Sequence, residues 1–289
     1  MLSTTKTCPL QYCGGLLLAT CLSLLLTSCA SFSVSKRVEN ANRIAASHDL
    51  QRHIFMPPDL SIVSFLRINK PDQIATIYIE GDGYSWINRT TLSSNPTPID
   101  PIGLKLAAID KSRNIIYLAR PCQYVDIKTQ PKCTPDLWSS HRYSNLVLSN
   151  YHLILNKIRR TYKINKFHLV GFSGGAAITA LLTASRDDIA SLRTVAGNLN
   201  HTELNKRENV SALHGSLDAI KYAQQTRSIP QAHYYGAKDT VIPGWVSDTY
   251  VRQLGKRNCS TRIEVPKASH LEGWMKYWKT EWENIPSCG

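Results

Sequence analysis

Between an apolar run at residues 167–170 and a second apolar stretch with helical spacing stands the pentapeptide Gly171-Phe172-Ser173-Gly174-Gly175. No other feature constrains the fold so tightly. The chain must turn from strand into helix within a few residues, and its glycines leave room for backbones to pass closely. Such a turn lifts a serine hydroxyl clear of a sheet and sets it near a helix N-terminus, where developing negative charge is favoured. The five-residue pattern alone would arise by chance in roughly one chain in ten of this length. The strand before it and the helix after it weigh against an ordinary βα turn with an idle serine.

The rest of the chain repeats that alternation. Short apolar runs at 62–66, 74–80, 114–119, 167–171, 193–196, 232–235 and 262–265 are separated by longer stretches with helical spacing. This predicts an α/β chain with a parallel sheet, its strands apolar on both faces and joined by crossover helices. Within 144–162, Val147, Tyr151, Ile154, Leu155 and Ile158 recur at spacings of three and four, the stripe of an amphipathic helix. Further helices are predicted at 174–185 and 269–284, and a first one over 38–55, where breakers are few. Hydrophobic residues are 43% of the 289 and charged residues 19%, enough apolar side chain to exclude disorder as the main state.

The N-terminus reads as an address. Residues 14–26 have the length of a signal-peptide core and are too short to span a bilayer comfortably, with Lys6 the only charge ahead of them. Leu26-Thr27-Ser28-Cys29 follows and resembles the bacterial lipobox. That resemblance implies a signal peptide at 1–28, a lipid thioether on Cys29, and an anchor segment with an N-terminal helix over 29–58. Ala30, where an Asp would signal retention, implies an outer-membrane lipoprotein facing the periplasm.

Of eight cysteines, Cys122, Cys133, Cys259 and Cys288 lie beyond Cys29. An even set in an exported domain reads as two disulfides, with three pairings open, and the local one (Cys122 with Cys133, Cys259 with Cys288) is expected. No Cys/His spacing suggests zinc. The formal charge of +13 favours anionic surroundings. Residues 137–186 carry no acid, and Lys157, Arg160 and Lys163 share one helix face, read as solvated or as facing anionic head groups or cell-wall polymers. No nucleic-acid motif accompanies the charge.

With its serine in this setting, the chain resembles the α/β-hydrolase family, in particular exported bacterial lipoprotein members, over roughly residues 59–282. The resemblance implies a mostly parallel central sheet with helices on both faces, filling 59–289. It also implies a Ser, acid and His in that chain order. Residues 236–243, Gly-Ala-Lys-Asp-Thr-Val-Ile-Pro, look like the acid loop and nominate Asp239, with Asp218 as rival. His270, beyond the run at 262–265, stands where the family places its base. His201, His214 and His233 lack that context, and His141 and His168 precede the serine. Gly174 would supply one oxyanion amide, and Gly81, Asp82 or Gly83 the other. Glu80 departs from the His common there in lipase-like members. Trp86, Trp245, Trp274 and Trp278 are candidates for either a pocket wall or the core. The implied activity is esterase-like cleavage of a small-molecule or lipid-like acyl substrate through an acyl-enzyme, with no metal or organic cofactor. The alternative is a non-catalytic envelope lipoprotein that keeps the scaffold for binding.

Overall fold

Branched and aromatic side chains fill the segments that build the sheet, as half-buried or buried pleats require. The computed structural model describes residues 33–288. Its strands are β1 (Gln51–Phe55), β2 (Ile62–Ile68), β3 (Ala75–Ile79), β4 (Asn114–Leu118), β5 (Phe167–Phe172), β6 (Ile189–Val195), β7 (Gln231–Gly236) and β8 (Ser260–Val265). They form one eight-stranded sheet in the order β1-β2-β4-β3-β5-β6-β7-β8. From β4 to β8 every pairing is parallel, whereas β1 with β2 and β2 with β4 are antiparallel. The sheet is therefore mixed at one edge instead of parallel throughout. β3 and β4, at its centre, are buried along their whole length, which explains their unbroken apolar sequence.

Helices cover both faces. The helices are α1 (Val34–Ala46), α2 (Ile102–Ile109), α3 (Asn145–Tyr162), α4 (Gly174–Ser185), α5 (His201–Arg207), α6 (Trp245–Leu254) and α7 (Trp274–Glu281). One core joins the sheet to α3, α4 and α6, and a second joins it to α1, α2 and α7. The α3 stripe of Val147, Tyr151, Ile154, Leu155 and Ile158 is buried as its spacing predicts, and the Ser144 hydroxyl caps the helix by accepting from the Val147 amide.

Two predicted helices are shorter in the structure. The first stops at Ala46, because Asp49 takes a left-handed backbone (φ 59°) and the chain returns as β1, antiparallel to β2. The last begins only at Trp274, after Gly273 at φ 88° breaks any earlier turn. Helices α2, α5 and α6 have no counterpart in the sequence expectation.

Cys122 pairs with Cys133 and Cys259 with Cys288, with Cα separations of 5.5 and 5.2 Å. The first closes a loop between β4 and α3, and the second ties the chain's end to the start of β8. Their sequence separations of 11 and 29 correspond to about 3 kcal/mol each in the chain-entropy view. Urea melts with and without dithiothreitol are expected to differ by about 6 kcal/mol, the two bridges together, and Cys259→Ser alone by about half of that. Residues 1–28 and Cys29 lie outside the described residues. Among the described residues, no helix is long and apolar enough to cross a membrane.

Candidate active site

β5 delivers Ser173 at the centre of the sheet, between β3 and β6. The serine adopts φ 51°, ψ −118°, a backbone that an L side chain rarely takes. The glycines around it make this possible. A Cβ on Gly171 would lie 2.5 Å from the Ala176 Cα, and one on Gly175 would lie 2.5 Å from the Glu80 carbonyl oxygen. Backbone bonds hold the turn: Ser173 N–H donates to the Val195 carbonyl at 2.9 Å, and its own carbonyl accepts from Ala176 and Asn198, each at 3.1 Å.

The loop after β7 carries Asp239, whose side chain is fully buried. Its Oδ1 accepts from the Val241 and Ile242 amides at 2.9 and 2.8 Å. Oδ2 lies 2.9 Å from His270 Nδ1, and His270 Nε2 lies 3.0 Å from Ser173 Oγ. A proton on Nδ1, facing the carboxylate, leaves Nε2 free to accept from the serine hydroxyl. The ring packs on Phe172 with centroids 5.5 Å apart, and Trp274 Nε1 donates to the His270 carbonyl at 3.0 Å. Ser173, Asp239 and His270 are thus brought together.

The rival residues are engaged elsewhere. Asp218 accepts from the Thr202 amide at 3.0 Å, at the start of α5, and lies 4.0 Å from His201. His233 bonds Thr194 Oγ1 at 2.8 Å, and burial pushes its pKa down to about 3. His168 bonds Ser191 Oγ at 2.7 Å and is lowered to about 4, again chiefly by burial. His141 and His214 are exposed.

The loop after β3 distinguishes among the three amides expected as second oxyanion donor. The Gly81 amide donates to Glu80 Oε1 at 2.9 Å, so it is spoken for and leaves the list of donors. Glu80 also accepts from the Gly103 and Leu104 amides and from the Tyr117 hydroxyl, at 3.0, 3.1 and 3.1 Å. Burial raises the Glu80 pKa against the pull of these four bonds. Among the described residues, the Asp82, Gly83 and Gly174 amides have no hydrogen-bond partner. The Asp82 carboxylate lies so close over Gly174 that a Cβ there would collide with it, whereas Gly83 (φ 69°) packs toward Pro96.

Asp82 itself is braced by residues that the sequence expectation lacks. Arg120 Nη1 lies 2.8 Å away, Arg142 Nη1 3.2 Å and the Tyr143 hydroxyl 3.2 Å. Burial alone would raise the Asp82 pKa, but the two guanidinium groups outweigh it and hold the carboxyl below its ordinary range. No local motif announces this cluster, because Asp82 comes from the loop after β3 and the other three from two distant points of the β4–α3 connection.

Ser173 and His270 open into a cavity of about 450 Å³. Trp86, Ile99, Val241 and Leu271 line it and remain exposed by 39, 38, 55 and 52%, an apolar rim around a polar floor. Of the other tryptophans, Trp274 and Trp278 are core and Trp245 lies under Arg207. Among the described residues, no group of three or more His, Cys, Asp or Glu is placed to hold a metal.

No protein-family model matches the chain, and no curated protein matches its sequence. Solved structures do match. An esterase of Pyrococcus furiosus superposes with TM-score 0.59 at 10% identity, covering 81% of this chain and 90% of its own. Est1E from Butyrivibrio proteoclasticus gives 0.54 at 11%, covering 80% and 96%. An alpha-beta serine hydrolase homologue from Coxiella burnetii gives 0.54 at 15%, covering 80% and 95%. The chain has the α/β-hydrolase fold; at these identities the likeness extends to the fold alone.

Proposed function

We propose that the protein is a serine hydrolase that cleaves acyl esters through a covalent acyl-enzyme. The observation that carries this reading is the unbroken chain of contacts from Asp239 through His270 to Ser173, at 2.9 and 3.0 Å. Ser173 Oγ attacks the substrate carbonyl as His270 Nε2 takes its proton, and buried Asp239 stabilises the imidazolium. The tetrahedral oxyanion is received by the free amides of Gly174 and Asp82, the latter on a loop pinned by two arginines. His270 returns the proton to the departing alcohol. Water then attacks the acyl-serine by the same route, releasing a carboxylic acid and restoring the hydroxyl. The apolar rim suits the hydrocarbon part of an acyl substrate.

A fluorophosphonate probe tests the reading. Labelling of the native, disulfide-intact protein that is lost on heat denaturation is the expected result. Absence of native labelling would favour a binding scaffold without catalysis.

The proposed setting is the bacterial envelope, with the protein anchored in the outer membrane by a lipid on Cys29. The support is the lipobox-like Leu26-Thr27-Ser28-Cys29 behind an apolar core of signal-peptide length. A radiolabelled fatty acid is expected to mark the wild type in bacterial cells and to leave Cys29→Ala unmarked. Equal label in both would remove the anchor.

A further inference from the structure

Arg142 stands in the wall between two cavities. The Ser173 cavity lies on one side, and on the other lies a second cavity of about 680 Å³ that shares Trp86 and Arg142 with it. Both linings are largely apolar, but they differ in charge: Glu80, Asp82 and Asp100 line the first beside Arg142, and Leu92, Val210 and Leu213 accompany the arginines of the second. Four exposed apolar side chains edge the first. The charged residues lining the second are Arg89 and Arg142, no carboxylate lines it, and Asn88, Ser140, Asn205 and Asn209 are among its polar walls.

Neither arginine is saturated. A guanidinium offers five N–H donors in a planar fork. Arg142 Nη1 faces Asp82 at 3.2 Å, but that carboxylate is also held by Arg120 at 2.8 Å, so two cations share one anion. Arg142 Nε is buried without a hydrogen-bond partner. Arg89 is exposed, donates to the Glu208 carbonyl at 2.9 Å, and has no carboxylate partner among the described residues. The cavity therefore carries uncompensated positive charge, and part of it belongs to a side chain that also borders the Ser173 mouth.

We propose that the second cavity is an anion subsite, in which Arg89 and Arg142 hold a carboxylate or phosphate group of the substrate whose acyl carbonyl lies at Ser173. That the ligand is a substrate rests on the hydrolase reading. Trp86 and Arg142 line both spaces, so a substrate that reaches from Ser173 past them would be an amphiphilic ester, with its acyl carbonyl at Ser173 and its anionic group at the arginines. Charge-assisted bonds from planar guanidinium forks to a carboxylate or phosphate would supply the selectivity.

The test is calorimetric titration of Ser173→Ala, disulfides intact, with glutarate, glycerol 3-phosphate and glycerol. At least one anion is expected to bind while glycerol does not, and the tighter anion identifies carboxylate or phosphate as the recognised group. Adding Arg89→Gln or Arg142→Gln is expected to weaken that binding roughly tenfold or more. Arg89 is exposed, so its variant folds even if loosening Asp82 compromises the other. Failure of both anions to bind, or binding that Arg89→Gln leaves unchanged, overturns the proposal. Fluorophosphonate labelling of the wild type reports the hydrolase reading separately. Anion binding without labelling removes the hydrolase and keeps the subsite, and labelling without anion binding does the reverse.

Discussion

Replacing Ser173 with alanine is expected to abolish fluorophosphonate labelling and to lower ester turnover by roughly ten-thousand-fold or more. The proposed nucleophilic oxygen is removed, and among the described residues Ser173 Oγ is the hydroxyl that His270 Nε2 meets, at 3.0 Å. The fold should survive, because the backbone bonds of Ser173 to Val195, Ala176 and Asn198 do not involve the side chain. Alanine inherits the same φ of 51°, so the thermal midpoint should barely move, whereas Ser173→Gly should raise it by relieving the strained backbone. Turnover by Ser173→Ala within tenfold of wild type, measured with p-nitrophenyl butyrate, would end the acyl-enzyme reading.

A loss of comparable size is expected for Asp239→Asn, through the tautomer of a neighbour. The Val241 and Ile242 amides both point at Oδ1, so the asparagine oxygen must remain there and its NH₂ must face His270. Nδ1 then becomes the acceptor, the ring proton moves to Nε2, and Nε2 can no longer take a proton from Ser173. Turnover is expected to fall about ten-thousand-fold with KM little changed. The readout is kcat measured separately from KM, together with the imidazole ¹⁵N shifts, which report the tautomer directly. A variant that keeps wild-type kcat would show that Asp239 only shapes its loop.

The serine turn was legible because sterics alone enforce its glycine spacing: side chains at Gly171 and Gly175 would strike backbone. Asp239 and His270 were nominated by their position after strands together with the family resemblance, and the fold sets them in a chain of contacts of 2.9 and 3.0 Å with Ser173. β1 was hidden because it is an edge strand whose first three residues, Gln51, Arg52 and His53, are exposed, leaving no apolar alternation to read. The break ahead of it falls to Asp49 instead of Gly or Pro, so no punctuation marks it. The last helix was overextended because Leu271 and Trp274 share an apolar look, although one belongs to the cavity rim and the other to the core. Arg120 and Arg142 were out of reach for a different reason. Their meaning comes from Asp82, which only the folded loops bring beside them.

Glu80 gives the loop after β3 a property that its glycines would not suggest. One carboxylate gathers the Gly81 amide, the first turn of α2 and the Tyr117 hydroxyl, fastening the loop to a helix and to the neighbouring strand. Conformational freedom at Asp82 is thereby surrendered once, when the chain folds. On the proposed reading, an amide held in this way has no reorganisation to undergo when a substrate binds.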